Sequence, residues 1–198
     1  MGHGHTSGVE TVGDGRSASA GGYTLADVRF PGTPGEGTLS FLILNDHGQP
    51  HTRFQREQTK LMHVYVVRTD LADFDHVHPA MAPDGTWTAP LTLERAGTYR
   101  VVAEFVASGH HGRGHLVLGD EVTNLRPHLD SYAHLTGFRR GDLTTVHLHP
   151  EQSAAPGVTG EPMLAFHAEF DKPGTYRLFI QFQTGGVLHT APATITVS

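Results

Sequence analysis

The sequence predicts an all-β protein of the sandwich class, and three observations carry that expectation. Short β-type runs follow one another from Tyr23 onward, separated by turn signals such as Asp84-Gly85, Ala96-Gly97 and Pro173-Gly174. No stretch shows the periodicity of an amphipathic helix. Two segments recur: AGTYRVVAEF, starting at Ala96, matches PGTYRLFIQF, starting at Pro173, at an offset of 77 residues, and His76-Val-His-Pro79 matches His147-Leu-His-Pro150 at an offset of 71. A duplicated unit makes the residues shared by its two copies a test of one another.

In chain order, residues 1–22 are rich in Gly, Ser, Thr and His, have no apolar surface to bury and lack the apolar core of a secretory signal, so they are expected to form a disordered tail. Strands are expected at Tyr23–Phe30, Thr38–Asn45, Leu61–Val67, Asp75–His78, Trp87–Leu93, Thr98–Val106 and His115–Leu118, then at Ala133–Phe138, Thr145–His149, Met163–Phe170, Thr175–Gln183 and Val187–Val197. These group into a first unit at 23–123 and a second at 124–198. The second reaches His134 after a short link, so it is expected to lack its leading strands. At roughly 75 residues such a unit buries little core alone and is expected to pack on the first. Trp87, Tyr99, Phe105, Tyr176, Phe179 and Phe182 fall at β-type positions and are expected in the core.

Composition narrows the function. The 198 residues carry 14 Lys plus Arg against 20 Asp plus Glu, a net charge of −6, and no basic cluster exceeds Arg139-Arg140, which argues against nucleic acid as a partner. The apolar runs are far shorter than the ~20 residues of a membrane-spanning helix. Cysteine is absent, removing disulfides and thiolate ligands together, whereas 16 histidines outnumber Lys plus Arg. Imidazole is the commonest protein metal ligand.

Six of those histidines are patterned. His63 precedes His76 by 13 and His78 by 15, and His134 precedes His147 and His149 by the same intervals. Strand alternation puts the two histidines of each His-x-His on one face. If Val67 pairs with Phe74 in an antiparallel hairpin, His63 falls opposite His78, with His76 its diagonal neighbour, and three imidazoles converge on one ion. A slip of one residue sends His63 to the other face. Neutral imidazoles suit copper first, by the Irving–Williams order, and zinc second, while calcium and magnesium prefer oxygen. The bland alternative is that His-x-His-Pro ends a strand, with the rings hydrogen-bonded to turn carbonyls and to each other.

Other candidates carry less. Met62 and Met81 lie near the first set, but Met81 has Gln152 as its counterpart, which weakens thioether ligation. His110, His111 and His115 crowd a Gly-rich turn, His167 and His189 read as structural, and His47 and His51 as loop residues. Met1-Gly2-His3 offers a square-planar nitrogen set for Cu²⁺ or Ni²⁺ if the amino terminus is free. Asp70, Asp73 and Asp75 read as turn-formers, one of which can orient an imidazole.

The stretch Leu61–Pro79, followed by Asp84-Gly-Thr-Trp87 and Ala96-Gly-Thr-Tyr-Arg100, resembles a group of bacterial exported proteins with two related β-sandwich units. So does Gly141-Asp-Leu143 leading to His147-Leu-His-Pro150 and Gly174-Thr-Tyr-Arg177. The resemblance covers most of residues 23–198. It implies an Ig-like fold, a secreted or periplasmic location and an association with heavy metals or copper, and it supplies no reaction. On that basis the protein is expected to be a non-enzymatic metal binder that buffers, sequesters or delivers its ion, with a metal-transfer protein as a conceivable partner.

Two other classes compete. Gly141-x5-His147-x-His149 is half of a cupin motif, which suggests a metalloenzyme, but where a glutamate is expected four or five residues later the chain reads Ser153-Ala154-Ala155, with no acid. Clustered histidines also suit a pH-responsive interaction module, which predicts a structural or association change between pH ~5 and ~7 with little metal affinity.

Overall fold

The computed structural model describes residues 17–107, 115–117, 125–126, 129, 131–148, 150, 165–168, 170–184 and 186–198. Among the described residues the regular elements are all strands: β1 (Ser19–Ala20), β2 (Tyr23–Arg29), β3 (Gly35–Leu44), β4 (His63–Arg68), β5 (Phe74–Val77), β6 (Ala80–Met81), β7 (Trp87–Leu93), β8 (Tyr99–Glu104), β9 (His115–Val117), β10 (Leu125–Arg126), β11 (Ala133–Arg139), β12 (Thr145–Leu148), β13 (Ala165–His167), β14 (Gly174–Thr184) and β15 (Val187–Val197). The chain divides into two compact units between Ser108 and Gly109, with Asp142–Thr144 grouped with the first.

In the first unit one sheet has the order β1-β2-β3-β7-β6 and the other β5-β4-β8. Lettered from β2 as A, this is A-B-E-D against C′-C-F, the immunoglobulin arrangement. Leu39, Phe41, Ile43, Trp87, Leu91 and Leu93 from the larger sheet meet Val64 and Val66 of β4, with Met62, in one core. Strand β7 follows its pattern closely, burying every second residue of WTAPLTL. Strand β4 differs, because its apolar run from Val64 to Val67 is buried on both faces. Val64 and Val66 enter the core, so His63, Tyr65 and Val67 occupy the opposite face.

The second unit has the order β12-β11-β14-β15, or C′-C-F-G, with β10 paired to the end of β14 and a separate β9–β13 pair. Ala133, Leu135, Leu148, Phe166, Tyr176 and Leu178 form its core. Three expectations are corrected here. β9 pairs with β13, Leu116 opposite Phe166, so residues 115–117 are second-unit strand and this unit does not start at 124. Three residues are too few for a pattern to declare their partner. Ser19–Ala20, within the expected tail, pairs with Tyr23–Thr24, because Gly21 and Gly22 take positive φ (58° and 83°) and close a two-residue hairpin. Residues 1–16 lie outside the described residues. Among the expected core aromatics, Trp87 and Tyr176 are buried there, while Tyr99, Phe105 and Phe182 are half-buried against it. Phe179 is buried beside Phe138, away from the core residues Tyr176 and Leu178 that alternate with it.

The repeated Gly-Thr-Tyr has a structural cause. The Tyr99 hydroxyl donates to the Arg95 carbonyl (2.7 Å) and that of Tyr176 to the Lys172 carbonyl (2.8 Å), each a tyrosine corner at the start of strand F. Arg68 donates to the Ala96 carbonyl and Arg139 to that of Pro173, each guanidinium lying over the following glycine. A Cβ at Gly97 would sit 2.6 Å from Arg68 Nε, and one at Gly174 2.9 Å from Arg139 Nε. Tyr99→Phe is expected to cost ~0.5–1.5 kcal/mol by losing its corner hydrogen bond. A urea midpoint equal to that of the parent would show that this bond adds nothing to stability.

Candidate metal centre

The hairpin that carries the first histidines has the expected register. Val67 pairs with Phe74 and Tyr65 with His76, so the ladder extended by one step places His78 beside His63. On the other edge of β4, His63 pairs with Glu104 and Tyr65 with Val102. His63, Tyr65, His76 and Glu104 therefore share the face turned away from the core. Apolar residues on alternate positions of β4 and β8 anchor the opposite face, so sequence alternation determines which side these polar groups occupy.

The three rings converge. His63 Nδ1 lies 3.0 Å from His76 Nε2 and 3.2 Å from His78 Nε2, and the three ligand atoms all fall within 4.8 Å of one another. His63 Nε2 is 3.1 Å from the Glu57 carbonyl. A carbonyl only accepts, so Nε2 carries the proton and Nδ1 presents its lone pair to the other two rings. This is how proteins orient a metal-ligating histidine, with the far nitrogen donating to a fixed acceptor. Tetrahedral bonds of ~2.0–2.1 Å place nitrogen donors roughly 3.3 Å apart, close to the two spacings from His63. His63, His76 and His78 thus form a group able to hold a metal ion.

Burial governs the protonation of the groups on this face. His63 is 2 % exposed, and burial lowers its pKa despite the opposing bond to Glu57, with the Lys60 charge adding to the lowering. The ring is then neutral near pH 7 and has no proton to shed before binding. Burial pushes the Glu104 carboxyl up to about 7, and burial together with the Glu104 charge raises Glu57 to about 7. The Tyr65 hydroxyl donates to Glu104 Oε2 (2.5 Å), and its ring lies 4.7 Å from that of His76.

Glu57, Tyr65 and Glu104 were not among the residues that spacing singles out. Glu104 did leave a signal, as an acid inside the apolar run Val101–Phe105 at the position where the repeat carries Gln181. Conversely, the methionines do not join the rings. Met62 is buried in the core and Met81 pairs with Trp87 and packs against that core. Asp73 binds Arg95 and Tyr99, and Asp70 binds Arg68 and the Ala72 amide.

In the second unit the register repeats. Thr136 pairs with His147 and Leu135 with Leu148 on one edge of β11, and His134 pairs with Gln181 on the other. His134 is 1 % exposed, and its ring centroid lies 6.0 Å from that of His147. His149 lies outside the described residues, as do His3, His110 and His111. His189 Nε2 is 2.9 Å from the Thr184 hydroxyl and its ring stacks on Phe182, a structural role. His51 Nε2 lies 2.5 Å from the Arg53 carbonyl, between the rings of Tyr23 and Phe54.

No curated protein and no solved structure matches the chain. One family does match, over residues 18–118 and again over 111–198, in keeping with two related units. The chain belongs to this family, DUF8832, described as a domain of unknown function.

Proposed function

We propose that the protein is a non-enzymatic, exported metal binder, taking copper first and zinc second, that buffers, sequesters or delivers its ion. The observation that supports this reading best is the convergence of three imidazole nitrogens within 4.8 Å, with the tautomer of His63 set by a backbone carbonyl. Three neutral nitrogens suit Cu²⁺ and Zn²⁺, and copper binds the more tightly of the two to a given nitrogen site. The His134/His147/His149 set, whose first two members lie on neighbouring strands in the same register, is proposed as a second centre. Export rests on the resemblance to secreted two-unit sandwiches.

The test is elemental analysis and Cu²⁺ and Zn²⁺ titration of the full chain bearing His3→Ala and His5→Ala, so that the terminus does not contribute. One or two tightly bound equivalents are expected. Binding to the folded state alone adds about 2.7 kcal/mol at a hundredfold excess of ion over Kd, seen as a raised melting temperature. Weak binding with no thermal shift would sink the reading.

A further inference from the structure

The two units offer an internal comparison, because their histidine strands share one register and differ in what stands across from them. Glu104 faces His63 on β8, and its Oε2 accepts from the Tyr65 hydroxyl at 2.5 Å. In the second unit Gln181 faces His134, and Thr136 stands where Tyr65 does. Gln181 is 8 % exposed, and its amide donates to Thr190 Oγ1 at 3.4 Å. Directly opposed residues hold their Cβ atoms ~4.5–5.5 Å apart, so a carboxylate in one unit and an amide in the other sit at equal reach of a buried histidine.

This difference changes the charge of the set. Three neutral imidazoles carry none, and an ion set among them gives up the water that would otherwise screen it. Coulomb attraction scales with the product of the charges, so one carboxylate favours a divalent ion twice as strongly as a monovalent ion at the same place. The Tyr65 bond fixes the carboxylate against the sheet, and the Tyr65 ring also meets His76. The polar groups at this position are thus linked to two of the three histidines.

We propose that Glu104, held by Tyr65, supplies the negative charge that makes the first centre selective for a divalent over a monovalent ion, whereas Gln181 supplies no such charge opposite His134. This rests on metal binding by His63, His76 and His78. Glu104 is a specificity-determining residue in this scheme and Tyr65 a positioning residue.

The test uses full-length protein with His134→Ala and His147→Ala, so that the first centre alone is read. Cu²⁺ and Ag⁺ serve as divalent and redox-inert monovalent probes. Glu104→Gln is expected to weaken Cu²⁺ binding about 10–100-fold, the usual scale for losing an outer-shell partner, with a smaller loss for Ag⁺ and an altered Cu²⁺ EPR hyperfine splitting. Tyr65→Phe shifts the same spectrum and weakens Cu²⁺ binding less. Should Glu104→Gln fail to fold, the reciprocal Gln181→Glu, in a His76→Ala/His78→Ala background, decides: it is expected to raise Cu²⁺ affinity over Ag⁺. Equal losses for both ions, or no change in either, while His76→Ala/His78→Ala still abolishes binding, overturn the proposal and leave the metal reading intact. A parent that binds neither ion overturns both.

Discussion

Replacing His76 and His78 together by alanine is expected to remove the first centre, lowering its affinity for Cu²⁺ and Zn²⁺ by more than about 100-fold, beyond the loss that follows removal of an outer-shell partner. Two of three converging nitrogens are deleted, and one remaining imidazole has no chelate. The choice of these two residues matters. Both are half-buried at the end of the hairpin, whereas His63 is 2 % exposed within β4, and truncating it would open a void in a strand buried on both faces. The double variant therefore separates binding from folding, and its far-UV circular dichroism is expected to equal that of the parent. His134→Ala/His147→Ala is expected to remove a second equivalent independently. Titrations in which neither variant loses an equivalent would assign the histidines to structure instead.

Trp87→Ala is expected to cost ~3–5 kcal/mol, the largest stability effect of any single truncation in the first unit's core. Trp87 is 1 % exposed, stacks on Phe41 with centroids 6.4 Å apart and receives the edge of Phe54 at 5.1 Å. It sits on strand E, where β7 pairs with both β3 and β6, so the cavity would open in the middle of the larger sheet. Its Nε1 is buried without a hydrogen-bond acceptor among the described residues. Trp87→Phe removes that unsatisfied donor and is expected to be much milder than alanine, since a buried orphan N–H costs ~1–3 kcal/mol. Neighbouring Thr88 is exposed on the same strand, and Thr88→Ala is expected to stay within ~0.5 kcal/mol. Urea unfolding of the three variants checks the ordering. Equal midpoints for Trp87→Ala and Thr88→Ala would place the core elsewhere.

Much of the fold was legible because it rests on local patterns. Trp87–Leu93 and Val187–Val197 form strands with the boundaries that sequence predicts, and the Val67–Phe74 pairing follows from hairpin length and alternation. A period of two leaves one register that keeps Val64 and Val66 in the core and His63 off it. The repeat predicted two units, and the tyrosine corners explain why Gly-Thr-Tyr recurs. Strands β1, β6 and β10 escaped notice, since two residues carry no periodicity.

The sequence by itself determined the all-β class, the duplication and the histidine spacing that brings His63, His76 and His78 together, because strand alternation, a repeated segment and a single hairpin can each be read directly along the chain. Only the tertiary structure decided that β9 belongs with β13, that Glu57 lends its carbonyl to His63, and that Tyr65 and Glu104 complete the polar face. The first and last of those relations join strands far apart in the chain, while the Glu57 contact depends on the Glu57–Lys60 turn just before β4, which no strand pattern declares. Which distant strands become neighbours follows from burying the sheets' apolar faces as a whole, and no short-range pattern in the chain encodes it.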